Sequence, residues 1–213
     1  MTYQSTTLDS GLRFASEQLP GLETVTLCVS AGTGARYETE KENGLSHLLE
    51  HMAFKGTTRR TAREIAEAFD NIGGSANAYT SHEHTVYYAR VLKDDLPVAI
   101  DILADILQHS TFDERELERE RQVILQEIGM HRDTPDDLVY DLFHAALFSG
   151  QAMGRSILGE PERVSIFTRE EVSAYMQRHY HAENLVVSAA GNLSHDALLP
   201  QIEAAFDGFA TRS

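Results

Sequence analysis

The chain has 213 residues, and its 42% hydrophobic content is typical of a globular protein with one or two small domains. Its formal net charge of −15 disfavours nucleic acid or an anionic membrane surface as a partner and suits a basic or extended polypeptide better. The single cysteine, Cys28, excludes an internal disulfide and any metal site that needs two thiolates.

The N-terminal half predicts strands, then two helices, then strands again. The first twenty residues lack the basic start and apolar run of a secretory signal. No stretch of the chain approaches the roughly 18 apolar residues of a membrane span, so we expect a cytoplasmic protein. Asn43 is the expected cap of the first helix, and Thr61 with Glu64 forms a capping box for the second. The predicted segments are a strand over 25–29, helices over 44–55 and 62–72, and strand over 75–92.

The C-terminal half predicts mainly helices, with one further strand. Asp94 is the expected cap of a helix whose apolar residues keep helical spacing as far as Leu107, and Asp113 opens a longer, charged helix. Ser194 is the expected cap of the final helix. The remaining segments are helices over 135–148 and from Thr168 to about Tyr180, a loop over 149–159, and a strand over 185–190. The irregular alternation predicts a single α+β domain over residues 1–213, with helices layered on a sheet.

The first predicted helix carries a pattern of metal-ligating residues. His47 and His51 are four positions apart, so both imidazoles lie on one helix face and can bind the same metal ion. Glu50 projects toward that face, where a carboxylate can take a proton from metal-bound water. This order of residues is the reverse of the commoner H-E-x-x-H motif. The alternative is an amphipathic helix with solvated histidines, but the other residues of this helix are mostly apolar, and buried polar groups need partners.

A third ligand is expected from the charged helix that follows Asp113. Glu120 and Glu127 are seven residues apart, so both carboxylates face the same way, and Glu127 is flanked by isoleucine and leucine. An unpaired acid is unusual in such surroundings. The other glutamates of this helix alternate with arginines and are better explained as a solvated face.

Together these motifs resemble the pitrilysin/insulinase family of zinc peptidases, especially its mitochondrial-processing-peptidase-like branch. The similarity extends through segments 73–80, 154–159 and 184–191, in the order expected for the family. It implies a mixed, mostly antiparallel sheet layered with helices. It also implies that His47, His51 and Glu127 bind zinc, that Glu50 is the general base, and that Glu120 is an acid supporting the site.

The same resemblance gives segment 75–80 a role in substrate binding. In this family the strand beside the zinc helix is a free sheet edge to which the substrate peptide adds as an extra strand. Asn77, Ala78 and Tyr79 match that edge. From the residues alone, the segment is an ordinary edge strand.

Two further histidines, His82 and His84, alternate along the predicted strand and could share a metal. No third ligand stands out for them, and they match no metal position of the family. We interpret them as solvated or hydrogen-bonded histidines.

The sequence therefore predicts the zinc-bearing N-terminal domain of an endopeptidase that cuts extended or unstructured peptides. The alternative is a non-catalytic peptide-binding or assembly subunit of the same fold, which would need no base beside a metal. A third reading, a different zinc hydrolase, lacks another group that could polarise its substrate. The family usually closes its cleft with a second related domain, so we expect such a domain or subunit as a partner, a second copy of this chain included.

Overall fold

The computed structural model describes residues 3–209, so the first two and last four residues of the predicted domain lie outside it. Six strands form the sheet: β1 (Tyr3–Thr7), β2 (Arg13–Gln18), β3 (Thr24–Ala31), β4 (Ser75–Thr80), β5 (Thr85–Leu92) and β6 (Leu185–Gly191). The helices are α1 (Leu45–Ala53), α2 (Ala62–Asn71), α3 (Leu96–Gln108), α4 (Glu114–Asp133), α5 (Pro135–Leu147), α6 (Pro161–Val164), α7 (Arg169–His179) and α8 (His195–Ala205).

The sheet has the strand order β1-β2-β6-β3-β5-β4. Strands β2 and β6 pair in parallel, and the other described neighbours pair antiparallel. This confirms the predicted mixed, mostly antiparallel sheet. Strand β4 lies at one end of the sheet and pairs with β5 alone among the described strands, so its other edge is free.

The main core lies between the sheet and the helices on one of its faces. Alternate residues of β3, among them Val25, Leu27 and Val29, are fully buried, which is the pattern of a strand with one face against a core. Helix α3 packs against β3 and β5, and α8 packs against α3 and β2. Helix α1 lies between β4 and α4 and also contacts α7. Among the described residues, no helix has both the length and the apolar content to cross a membrane.

Two of the predicted helix caps are wrong, and a third is in place but lacks its capping hydrogen bond. Asn43 donates its amide to Glu38 and to the Ser156 carbonyl, and Gly44 takes the cap position of α1 with φ of 102°. Asp94 lies within a 3₁₀ turn over Lys93–Asp95, so Asp95 takes the cap position of α3, where its side chain makes no capping hydrogen bond. Ser194 stands at the cap position of α8, but its side chain makes no capping hydrogen bond.

The other predicted caps are confirmed, and they share a local geometry. Thr61 with Glu64 and Thr168 with Glu171 form complete capping boxes, and Asp113 accepts from the first backbone N–H groups of α4. Each of these caps bonds to groups two or three residues away. Such bonds need little help from tertiary packing.

The predicted loop over 149–159 packs tightly against the start of α1. It contains a 3₁₀ turn at Ala152–Gly154. Gly159 has φ of 82°, and a Cβ there would lie 2.6 Å from the Asn43 carbonyl oxygen. Glycine is therefore required at this position.

Candidate metal centre

Helix α1 brings His47, Glu50 and His51 to the side of the helix that faces α4 and β4. The imidazoles of His47 and His51 lie edge to face, with their ring centres 4.6 Å apart. Their Nε2 atoms lie 3.7 Å and 3.6 Å from the same carboxylate oxygen, Oε2 of Glu127 on α4.

The two imidazoles and the Glu127 carboxylate have the chemistry and spacing of a zinc site. Their ligand atoms all lie within 4.8 Å of one another. At usual zinc–ligand distances, tetrahedral ligand atoms are about 3.4 Å apart, close to the two nitrogen–oxygen distances given above. Two nitrogen ligands with one carboxylate, and a fourth position left for water, are typical of catalytic zinc. The residues present therefore fit this metal.

His47 is held in the state that a metal requires. Burial lowers the pKa of His47 to about 3, with a smaller contribution from nearby His51. Its imidazole is therefore neutral near pH 7, and its lone pair is available for binding.

His51 is oriented by a second carboxylate. Its Nδ1 lies 3.0 Å from Oε2 of Glu120, an arrangement in which Nδ1–H donates and Nε2 points to Glu127. Glu120 is buried, and its other oxygen lies 2.7 Å from Nζ of Lys55. A carboxylate in this position can fix the tautomer and ring orientation of a ligating histidine. The supporting role of Glu120 stays a prediction.

Glu50 lies beside the cluster and is held by the free-edge strand β4. Its Oε2 accepts a 2.6 Å hydrogen bond from the Thr80 hydroxyl of β4. Burial, the largest influence, raises the pKa of Glu50, and the Thr80 hydrogen bond lowers it. A carboxylate with a raised pKa is suited to proton transfer.

The three predicted substrate residues lie on β4, and Tyr79 is the one of the three that lines the cleft beside the cluster. Tyr79 and Thr80 border a cleft of about 280 Å³ together with His47, Glu50 and the loop residues Ser156, Ile157 and Leu158. Tyr79 is half exposed, whereas Ala78 is buried and donates its N–H to the Asn77 side-chain oxygen. All three predicted residues thus lie on the free-edge strand next to the zinc-type cluster.

His82 and His84 lie apart from the cluster, in the turn between β4 and β5. His82 hydrogen-bonds the Arg155 carbonyl and packs against His144, and His84 packs against Tyr79. Neither belongs to a group of three metal-type ligands among residues 3–209.

Sequence reasoning missed Thr80, which bonds to Glu50, and Lys55, which pairs with Glu120. It also missed Glu38, whose carboxylate bonds to the start of α1. A signal was available for Lys55 alone, because it lies four residues after His51 within the predicted helix over 44–55. The partners of Thr80 and Glu38 depend on how separate segments pack.

Comparison with known families agrees with this geometry. Residues 13–161 match the family described as Insulinase (Peptidase family M16), and residues 167–213 match the one described as Peptidase M16 inactive domain. The chain belongs to the M16 peptidase family. This confirms the resemblance drawn from the motifs.

Individual M16 relatives match nearly the whole chain. An uncharacterized zinc protease of Rickettsia felis is 48% identical over 199 residues, covering 93% of this chain and 48% of the relative. Human mitochondrial-processing peptidase subunit beta is 47% identical over 194 residues, covering 91% of this chain and 40% of the relative. The chain thus spans about half the length of the curated M16 relatives it matches.

A solved structure of a protease from Helicobacter pylori has the same fold. It superposes with a TM-score of 0.93 at 23% identity, covering all of this chain and 51% of the other. At that identity the likeness supports the M16 fold alone.

Proposed function

We propose that this chain is the zinc-bearing part of a metalloendopeptidase that cuts extended or unstructured peptides. The observation that carries the proposal is the convergence of His47, His51 and Glu127 within 4.8 Å, with Glu50 beside them. Relatives named as zinc proteases support both the metal and the reaction class. The predicted cytoplasmic location stays a prediction.

The peptide would bind as an added strand at the free edge of β4. Main-chain hydrogen bonds to the outward-facing backbone groups of segment 77–79 (Asn77, Ala78 and Tyr79) would supply affinity with little demand on the peptide's sequence. Because α1 packs beside β4, a peptide in this position would carry its scissile bond past Glu50. The negative charge of the chain favours basic peptides.

In this proposal Glu50 transfers the proton, and two neighbouring residues hold the side chains of the site in place. When bound, zinc supplies Lewis-acid chemistry that polarises the scissile carbonyl and acidifies water. Glu50 accepts the proton of the attacking water on a carboxylate oxygen and delivers it to the leaving amine. Thr80 holds the Glu50 carboxylate during this proton transfer, and Glu120 keeps the His51 ring oriented with Nε2 toward Glu127.

A second related domain or subunit would cover helix α5. Five large apolar side chains of this helix are more than half exposed: Val139, Tyr140, Leu142, Phe143 and Leu147. Asp141 of the same helix lines the cleft beside His47, so a partner on α5 would also close the cleft. One M16 relative is named as a subunit, and exposed apolar patches of this kind mark interfaces.

The decisive test is Glu50→Gln, with Glu67→Gln as a control on the exposed face of α2. The Gln variant at position 50 should keep about one zinc per chain, because Glu50 is not in the ligand set. Its cleavage of an unstructured peptide, measured with the partner domain present, should fall by about 100-fold or more. The control should match wild type in both measurements. Cleavage by Glu50→Gln near the wild-type rate would contradict the assigned base, and zinc-loaded wild type without any cleavage would favour the non-catalytic subunit.

A further inference from the structure

Glu38 is a buried acid that belongs neither to the zinc-type group of His47, His51 and Glu127 nor to the free-edge strand β4. It follows the 3₁₀ turn Ala35–Tyr37 and is 3% exposed. Its carboxylate accepts three hydrogen bonds, from Gly44 N at 2.9 Å, Ser46 N at 2.7 Å and Asn43 Nδ2 at 3.1 Å. A buried carboxylate with three donors is held in one position.

Two of these donors are backbone N–H groups, one of the cap residue Gly44 and one of Ser46 in the first turn of α1. The N–H groups of a first turn have no partner within the helix and normally bond to the side chain of the cap residue. Gly44 occupies the cap position of α1 and has no side chain to offer. Glu38 supplies the missing acceptor from outside the helix. The helical N–H group that it accepts from belongs to Ser46, the residue before His47. Its negative charge also lies at the positive end of the helix dipole.

The same residue is tied to the loop that lines the cleft. Asn43, which donates to Glu38, also donates to the Ser156 carbonyl at 3.0 Å, and Arg155 donates to the Glu38 carbonyl oxygen. Ser156 lines the cleft beside His47 and Glu50. The contacts of Glu38 therefore join the start of the metal-bearing helix to one wall of the cleft.

A neighbouring contact fixes the same turn from the other side. The Ser46 hydroxyl lies 2.7 Å from the buried Tyr175 hydroxyl of α7, which in turn lies 3.1 Å from that of Thr33. With Ser46 held through both its N–H and its hydroxyl, the rotation of α1 about its axis is set. That rotation decides where His47 and His51 point.

We propose that Glu38 is a positioning residue for the metal centre, acting by capping α1 from a distance and locking it to the loop at 155–158. This inference rests on the proposed zinc function, and Glu38 lies outside the proposed zinc ligands His47, His51 and Glu127. Loss of Glu38 should displace the first turn of α1 and so weaken zinc binding and turnover.

The test compares Glu38→Ala and Glu38→Gln with Ile202→Ala in the 213-residue chain. Ile202 is fully buried on α8, so its truncation lowers stability away from α1. Zinc affinity is measured by competition with a chelator, unfolding by thermal melting, and kcat and KM on an unstructured peptide with the partner domain added. Glu38→Ala should bind zinc about 10-fold more weakly, with a lower kcat. Ile202→Ala should keep wild-type zinc affinity at a comparable loss of melting temperature.

If the alanine variant fails to fold, Glu38→Gln tests whether Glu38 positions the metal centre. Gln has the same size but one acceptor oxygen, so it can keep only part of the network, and we expect about a threefold loss of zinc affinity. Wild-type zinc affinity and kcat in Glu38→Gln would overturn the inference and make Glu38 a purely structural residue. Wild type that binds no zinc would instead contradict the proposed function.

Discussion

Helices α1 and α5 are both rich in apolar residues, but the fold uses them in opposite ways. Seven of the nine residues of α1 are buried, and its His and Glu side chains meet fixed partners. Helix α5 has 13 residues, of which the structure describes none as buried, and five of its large apolar side chains are exposed. The helix that carries the zinc-type cluster is thus packed within the fold, whereas α5 leaves its apolar side chains exposed.

The difference shows that apolar content does not say whether a helix belongs to a core. A buried apolar side chain contributes stability to the isolated chain, and an exposed one contributes only when a partner covers it. The two helices should therefore respond differently to the same substitution.

Removing a ligand from α1 should have the largest effect. His51→Ala deletes one of three protein ligands, and zinc affinity should fall on the order of 1000-fold, about 4 kcal/mol. His82→Ala, a histidine outside the cluster, is the matched control and should keep about one zinc per chain by elemental analysis. Full zinc retention in His51→Ala would refute the ligand assignment.

Matched leucine truncations test the contrast in packing. Leu48 of α1 is fully buried, and Leu142 of α5 is 60% exposed. Leu48→Ala should lower the free energy of unfolding by about 2–5 kcal/mol because it leaves a cavity. Leu142→Ala should change it by less than about 0.5 kcal/mol. Urea unfolding of the isolated chain measures both, and equal losses would show that α5 packs as part of the core.

A charge on α5 tests the partner surface and should have the smallest effect. Phe143→Glu replaces an apolar side chain that is 57% exposed, so the isolated chain should keep its stability. Its affinity for the second domain or subunit should fall by at least about tenfold, roughly 1.4 kcal/mol. Isothermal titration measures this affinity, with Glu67→Gln on α2 as the control. If the variant loses no affinity for that domain but no longer self-associates, the occupant is a second copy of this chain.

The sequence predicted the features whose geometry is local. His47, Glu50 and His51 share a helix face because a helix turns every 3.6 residues, and that spacing is visible in the chain. The capping boxes at Thr61 and Thr168 were predicted for the same reason. Glu127 was predicted as a ligand from its two-turn spacing to Glu120, its apolar neighbours and its resemblance to a family motif. The structure places its carboxylate beside both imidazoles because α4 packs against α1.

Tertiary structure decided the contacts between segments. Asn43 was expected to cap α1, but its amide bonds to Glu38 and Ser156, and the capping acceptor comes from Glu38. Thr80 reaches Glu50 because the end of β4 lies beside α1. A polar side chain with several candidate partners bonds to the one that packing brings within about 3 Å. Spacing along the chain cannot identify that partner when it lies on another segment.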